Sequence, residues 1–196
     1  MPDRRTERHE QTREEILTAA WGLARGQGVT GWTLREVAQA VGMRAPSLYV
    51  YFASKDAIYD AMFAQGYREL AARLAAMPEL DDPVDRLRAG ARMFLDFVVE
   101  DIARHQLLFL PVVPGFEPSS GSYAVAEQVL EELRSVLLEA GIDGQSSLDL
   151  YTALISGLAT QQVSNEPGGT RWIGLVDQAL DMYLASELPA SDARHR

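Results

Sequence analysis

The chain of 196 residues contains no cysteine. Disulfides and thiolate metal sites are therefore excluded, and a reducing cytoplasm is the expected compartment. No run of about 18 or more apolar residues occurs, so no membrane-spanning helix is expected. The opening segment, MPDRRTERHEQTREE, has no apolar stretch leading to a small-residue cleavage site and does not read as a signal peptide. Only three histidines are present, His9, His105 and His195, and they lie far apart in sequence. There is no glycine-rich phosphate loop and no metal-ligand spacing. The acidic groups Asp81-Asp82-x-x-Asp85 and Glu131-Glu132 suit helix starts or solvated faces. An enzyme is accordingly not expected, nor is a cofactor. Lysine is almost missing: Lys55 is the only one among 18 basic residues.

What remains is an ordinary globular composition, 47% hydrophobic and 23% charged, in a chain long enough for one good core or two small domains. The net charge of −10 argues against a polyanionic partner until its distribution is read. Residues 1–55 carry +2 and the remaining residues −12. A mildly basic head on an acidic body suits a protein that meets a polyanion with one end.

The pattern is helical throughout, with no convincing strand. Thr12-Arg-Glu-Glu15 reads as a capping box, with Thr12 as N-cap, opening a helix with Ile16, Leu17, Ala20, Leu23 and Ala24 at helical spacing. Arg4, Arg5 and Arg8 then precede that helix. Such an arm could reach a minor groove, but the interspersed Asp3, Glu7 and Glu10 point to a disordered tail. Gly26 and Gly28 stop the helix. Thr33-Leu-Arg-Glu36 is a second capping box, and Gly42 ends its helix. Pro46 fits the first turn of a short helix through Phe52. Ser54 caps a long helix from about Lys55 to Ala76. Further helices are expected over about Asp82–Val99, Ala103–Leu110, Ser122–Ala140, Ser147–Ser164 and Trp172–Ser186. Pro111, Pro114, Gly115, Pro118 and Gly121 mark the one long loop.

Thr33 to Phe52 carries the chemistry. Two helices that cross steeply over a short turn need a small residue mid-way along the first, and Ala38 is there. The turn needs a residue tolerant of positive φ, supplied by Gly42. Val37, Val41, Met43 and Leu48 provide a shared core. Ala-x-x-x-Gly alone would fit a plain helical hairpin equally well. The short third helix is less easily explained that way, because Arg44, Ser47, Tyr49 and Tyr51 crowd polar and amphipathic groups onto a few residues. Lys55 stands at a helix N-terminus, where a cation and free N–H groups together suit a phosphate.

Thr33-Leu-Arg-Glu-Val-Ala38, Val41-Gly42, Ser47-Leu-Tyr49, Tyr51-Phe52 and Ser54-Lys55-Asp56 together resemble the signature of the TetR/AcrR regulators, over about residues 12–62. The resemblance implies an all-α chain. Residues 1–55 would form an N-terminal three-helix helix-turn-helix DNA-binding domain, and residues 56–188 a C-terminal helical ligand-binding and dimerisation domain, with 189–196 a disordered tail. By position, Thr33, Ser47, Tyr49 and Lys55 would contact phosphates of a double-stranded operator. Arg35, Arg44, Ala45, Tyr51 and Val50 would face base edges, arginine to guanine being the commonest specific contact. Tyr49 could instead pack its ring on the domain, and Arg35 could pair with a carboxylate. The family usually places an aromatic where Ala24 stands; Trp21 and Trp32 are expected to restore that volume.

Farther along, Ala153, Ser156, Gly157, Ala159 and Thr160 permit close helix approach. The last helix, with Ile173, Leu175, Val176, Ala179, Leu180, Met182, Tyr183 and Leu184, is apolar around much of its girth. A surface helix needs only an apolar stripe, so a second copy of the chain is the expected partner, a central core helix being the alternative. Phe94, Phe97, Val98, Leu107, Leu108, Phe109, Tyr123, Tyr151 and Ile155 are candidate walls for a small apolar or amphipathic ligand, or plain core. Gln128, Thr152 and Gln161 could give that ligand polar contacts. The resemblance implies a dimeric cytoplasmic repressor released from a palindromic operator by its ligand, with activation or an interaction protein without specific DNA binding as alternatives. Nothing in the sequence names the ligand or the operator.

Overall fold

The computed structural model describes residues 3–188. Helix α1, Arg4–Gln27, begins two turns earlier than its sequence suggests, because the Asp3 carboxylate accepts the Arg5 N–H at 3.4 Å and serves as N-cap. Thr12 is therefore inside the helix, where its hydroxyl donates to the Arg8 carbonyl at 3.0 Å. A threonine bonding back to residue i−4 is an ordinary interior alternative to capping, and the expected disordered arm is helical from Arg4. Gly28 closes α1 with φ 85°, a left-handed value that favours glycine.

Helix α2, Leu34–Ala40, starts as expected at a complete capping box between Thr33 and Glu36. Helix α3, Ala45–Leu48, begins before Pro46 and is only one turn long. The chain then tightens, with Tyr51 N–H donating to Leu48 at 2.9 Å, rather than running on helically to Phe52. Helix α4, Lys55–Ala75, is capped by the Ser54 hydroxyl, which accepts the Ala57 N–H at 3.1 Å. The remaining helices are α5 (Pro83–Glu100), α6 (Ile102–Phe109), α7 (Ser120–Glu139), α8 (Gln145–Asn165) and α9 (Val176–Glu187). Residues expected to open α9 form instead a 3₁₀ turn, Ile173–Leu175. The buried Gln162 carbonyl oxygen accepts the N–H groups of Trp172 and Ile173 and holds that turn. Among the described residues there is no strand, and no helix is long and apolar enough to cross a membrane.

Contacts divide the chain into two compact units. One runs to Arg68 and resumes over Asp101–Ala126; the other takes Glu69–Glu100 and the chain from Glu127 onward. In the first, Ile16, Ala20, Ala24, Val37, Ala38, Leu48, Ile58 and Met62 meet around Trp21 and Trp32, with Ala103 and Leu107 of α6 packed in. Ala24 and both tryptophans are buried in this same cluster. Removing a large core side chain from such a cluster costs about 3–5 kcal/mol. Helix α6 belongs to this core, and the Asp101 carboxylate that caps it also pairs with Arg25 of α1 at 2.8 Å.

In the second unit α5 packs on α8 and α9. The buried Tyr151 hydroxyl donates to the Leu87 carbonyl at 2.7 Å, and Tyr183 to the Ser147 carbonyl at 2.9 Å. Burial pushes both phenols above their ordinary value, Tyr183 to about 12. Arg88 pairs with Asp181 at 2.6 Å, and Arg92 with Asp177, tying α5 to α9. The expected tail at 189–196 lies outside the described residues.

Candidate nucleic-acid interface

Thr33 stands at the head of α2 with its hydroxyl already engaged. It accepts the Glu36 N–H at 3.3 Å and donates to the Glu36 carboxylate at 2.7 Å, while the Thr33 N–H donates to the same carboxylate at 2.8 Å. These bonds hold the Glu36 carboxyl below its ordinary value. The capping box thus fixes where α2 begins, and the angle at which α3 follows is set by the turn after it. Gly42 makes that turn with φ 69°, a conformation that an L side chain would strain.

Arg35 and Arg44 are both exposed, and neither makes an ion pair with another described residue. The alternative of Arg35 tied to a carboxylate is therefore not what the fold adopts. Ser47 is exposed, Tyr49 is 57% exposed and Val50 72%. Tyr49 does not pack its ring away. Ala45 is half-buried against the core, and Leu48 between these residues is fully buried. One-turn α3 thus shows solvent every side chain except those that seat it.

Lys55 and Tyr51 are engaged inside the domain. The Lys55 ammonium donates to the carbonyls of Thr30 at 3.0 Å and Trp32 at 2.6 Å, and lies 4.4 Å from the Trp32 ring centre. Burial pulls it below its ordinary value, opposed by Asp56 and Glu36. Lysine has three N–H donors, so two close the loop that precedes Thr33 and one is left for an outside acceptor. The Tyr51 ring is half-buried and stacks on His9 with centroids 4.8 Å apart. Its carbonyl accepts from Arg13, whose guanidinium lies 4.1 Å over the Phe52 ring. His9 and Arg13 did not stand out in sequence. Their four-residue spacing, continuous with Ile16 and Ala20 on the buried side of α1, was the available signal.

The candidate ligand walls fall as follows. Phe97 and Val98 are fully buried, and Leu108, Tyr151 and Ile155 nearly so; Phe94 is half-buried and Tyr123 half-exposed. In the first unit an aromatic row runs from Phe63 through Tyr67 to Phe109 and His105, with neighbouring centroids 4.9–5.7 Å apart. Gly66 lets α4 and α6 approach closely: a Cβ there would stand 2.8 Å from Leu108.

Residues 16–62 match the family model described as "Bacterial regulatory proteins, tetR family". That stretch contains the capping box, the Gly42 turn, exposed α3 and Lys55. Over that stretch the chain is similar to the TetR family. Over 185 residues it is 26% identical to the class A tetracycline repressor protein from transposon 1721 of Escherichia coli, covering 90% of this chain and 79% of that protein. Its fold matches the crystal structure of SCO4313 at 22% identity with a TM-score of 0.78, covering 94% of this chain and 99% of the other. It also matches the transcriptional regulator FadR from Bacillus subtilis, solved with stearoyl-CoA, at 15% identity and a TM-score of 0.68, covering 88% and 97%. The family that residues 16–62 resemble consists of DNA-binding transcriptional regulators. The relatives of this chain are regulators rather than enzymes, in line with the sequence reading.

Proposed function

We propose that this protein is a cytoplasmic homodimeric repressor that leaves a palindromic operator when a small apolar or amphipathic molecule binds. The observation that carries the reading is the exposed, unpaired set Arg35, Arg44, Ser47 and Tyr49 on rigidly seated α2 and α3. Residues 1–55 supply DNA binding and 56–188 ligand binding and dimerisation. Arg35 and Arg44 take base edges, with Ala45 and Val50 in apolar contact, while Thr33, Ser47, Tyr49 and the remaining Lys55 N–H take phosphates. Tyr51 acts through its stack on His9, setting the end of the reading segment. Repression is favoured over activation by the likeness to the tetracycline repressor protein.

Support for the dimer comes from α8 and α9. Leu150 is 56% and Met182 69% exposed, and Ala153 and Gly157 continue the open face of α8 at helical spacing. Exposed large apolar residues beside small ones fit a packed helical interface, and a two-fold operator requires a two-fold protein. The aromatic walls within each unit are the ligand candidates: Phe94, Phe97, Val98, Tyr151 and Ile155 in one, Leu108 and Tyr123 in the other. The amphipathic class is supported by FadR, a protein of similar fold solved with stearoyl-CoA. Ligand would favour a conformation whose two reading segments no longer match half-sites about 34–36 Å, or a multiple, apart.

Selection from a random duplex library at moderate salt tests the reading. A two-fold symmetric sequence bound by two chains is expected, and a panel of fatty acyl and aromatic compounds should contain at least one that lowers the affinity. Failure to enrich any symmetric sequence would overturn DNA regulation by this chain. Enrichment with insensitivity to the whole panel would overturn the ligand class.

A further inference from the structure

The early start of α1 changes the meaning of its charges. In sequence, Asp3, Glu7 and Glu10 interrupt Arg4, Arg5 and Arg8. On a helix these residues fall mostly on separate faces, with Glu10 at the boundary. Asp3, Glu7, Glu10 and Glu14 recur at steps of four, three and four, which is one stripe at 3.6 residues per turn. Arg5, His9 and Arg13 recur every four residues on another stripe, and Arg8 falls beside it, away from the acids.

That second stripe is fixed to the reading segment at two points. His9 stacks on Tyr51, and Arg13 lies over Phe52 while donating to the Tyr51 carbonyl. Arg5 is the next residue along, one helical turn of about 5.4 Å beyond the His9 contact. Arg5 and Arg8 are exposed, and their guanidinium groups make no ion pair or hydrogen bond with another described residue. Two free cations therefore extend outward from the edge of the segment that carries Tyr49 and Tyr51. Glu10 lies 3.8 Å from His9 and from Arg13, and no carboxylate of the described residues pairs with Arg5 or Arg8. Among polyanions, the one already in register with this edge is the DNA on which α3 sits.

We propose that the basic face of α1, through Arg5 and Arg8, binds the phosphate backbone flanking the bases read by α3 and lengthens the footprint of each protomer. The proposal rests on DNA binding by α2 and α3, and adds a contact outside them that carries no base preference. Its thermodynamic mark is a flank-dependent, salt-sensitive gain. Each phosphate neutralised contributes about 0.9 to the slope of log affinity against log salt, so two arginines contribute about 1.8 per protomer.

The test uses the full chain and two duplexes carrying the same library-selected palindrome. One ends at the outermost selected base pair, and the other continues for about eight mixed-sequence base pairs on each side. Anisotropy titrations over a salt series compare wild type, R5A/R8A and E7Q, which alters charge on the opposite face. Alanine preserves helix propensity at these exposed positions, and circular dichroism checks the fold. Wild type and E7Q should bind the longer duplex more tightly and with a steeper slope. R5A/R8A should bind both duplexes alike, with the slope on the longer one lower by about 1.8 per protomer. A flank gain that survives R5A/R8A, or is absent from wild type that binds the short duplex, overturns the proposal. Wild type that binds neither duplex overturns it together with the DNA reading.

Discussion

Lys55→Met separates two roles that one side chain is asked to fill. Methionine keeps most of the apolar stem beside Trp32 but removes the ammonium. Lost with it are donations to the Thr30 and Trp32 carbonyls and the contact with the Trp32 ring. Hydrogen bonds to charged groups contribute about 1.5–3 kcal/mol each. Here one carbonyl lies in an exposed setting and the other is partly buried, so water recovers much of that on removal. The ring contact adds about 0.5–1 kcal/mol. A net loss of roughly 1–2 kcal/mol follows, which for a chain of this size lowers Tm by about 2–8 °C. Calorimetry measures that shift, and DNA titration measures the second role. If the third N–H meets a phosphate, affinity falls for selected and mixed-sequence duplexes alike, and the salt slope drops by about 0.9 per protomer. A Tm within about 1 °C of wild type would refute the structural clamp. An unchanged slope would refute the phosphate contact.

Other perturbations have equally defined outcomes. Gly26→Ala, inside α1 with nothing within 4 Å of the new Cβ, should stabilise by about 0.5–1 kcal/mol in urea melts through helix propensity; destabilisation would mean that α1 does not continue through Gly26. His105 is 1% exposed, and burial lowers its pKa from 6.5. The unfolded chain therefore takes up a proton that the fold resists. Stability should be independent of this residue above about pH 7 and fall as pH drops through 6.5, by at most about 1.4 kcal/mol per pH unit. His105→Leu should remove that component of the slope between pH 5 and 7, and an identical slope in the variant would contradict the burial effect. Arg13→Ala frees the Tyr51 carbonyl and uncovers the Phe52 ring. Operator affinity should drop with no change in salt slope beyond experimental scatter, whereas a slope lower by about 0.9 would make Arg13 a phosphate ligand instead.

The helix-turn-helix was legible because each of its parts is a local rule. Thr33 and Glu36 cap each other across three residues, Gly42 answers a backbone requirement, and Pro46 occupies a first turn. The start of α1 was misread for the same reason that makes caps informative: Thr12-x-x-Glu15 satisfies the pattern, but so does a helix already under way in which Thr12 bonds back to Arg8. Only the chain before it decides, and there Asp3 is the cap. Lys55 shows a different limit. Sequence marked it as a cation at a helix start, yet the carbonyls it meets lie 23 and 25 residues away, beyond any local rule. The stack of His9 on Tyr51 is likewise a long-range pairing. For the ligand walls, spacing could not tell core from pocket lining. Tyr151, with its hydroxyl satisfied by Leu87, shows why: an aromatic at helical spacing serves the core first.

The central claim is that exposed Arg44, with Arg35, reads bases while Thr33, Ser47, Tyr49 and Lys55 hold the backbone. The most direct measurement is the ratio of affinities for the selected palindrome and for mixed-sequence duplex at one salt concentration, in wild type and Arg44→Ala. The specific site should be bound at least about 10³-fold more tightly by wild type. Loss of one bidentate arginine–guanine contact should cut that ratio by roughly 1–3 kcal/mol per half-site, while mixed-sequence binding changes little. A ratio that is unchanged in Arg44→Ala, or that falls only because mixed-sequence binding falls equally, would contradict the account.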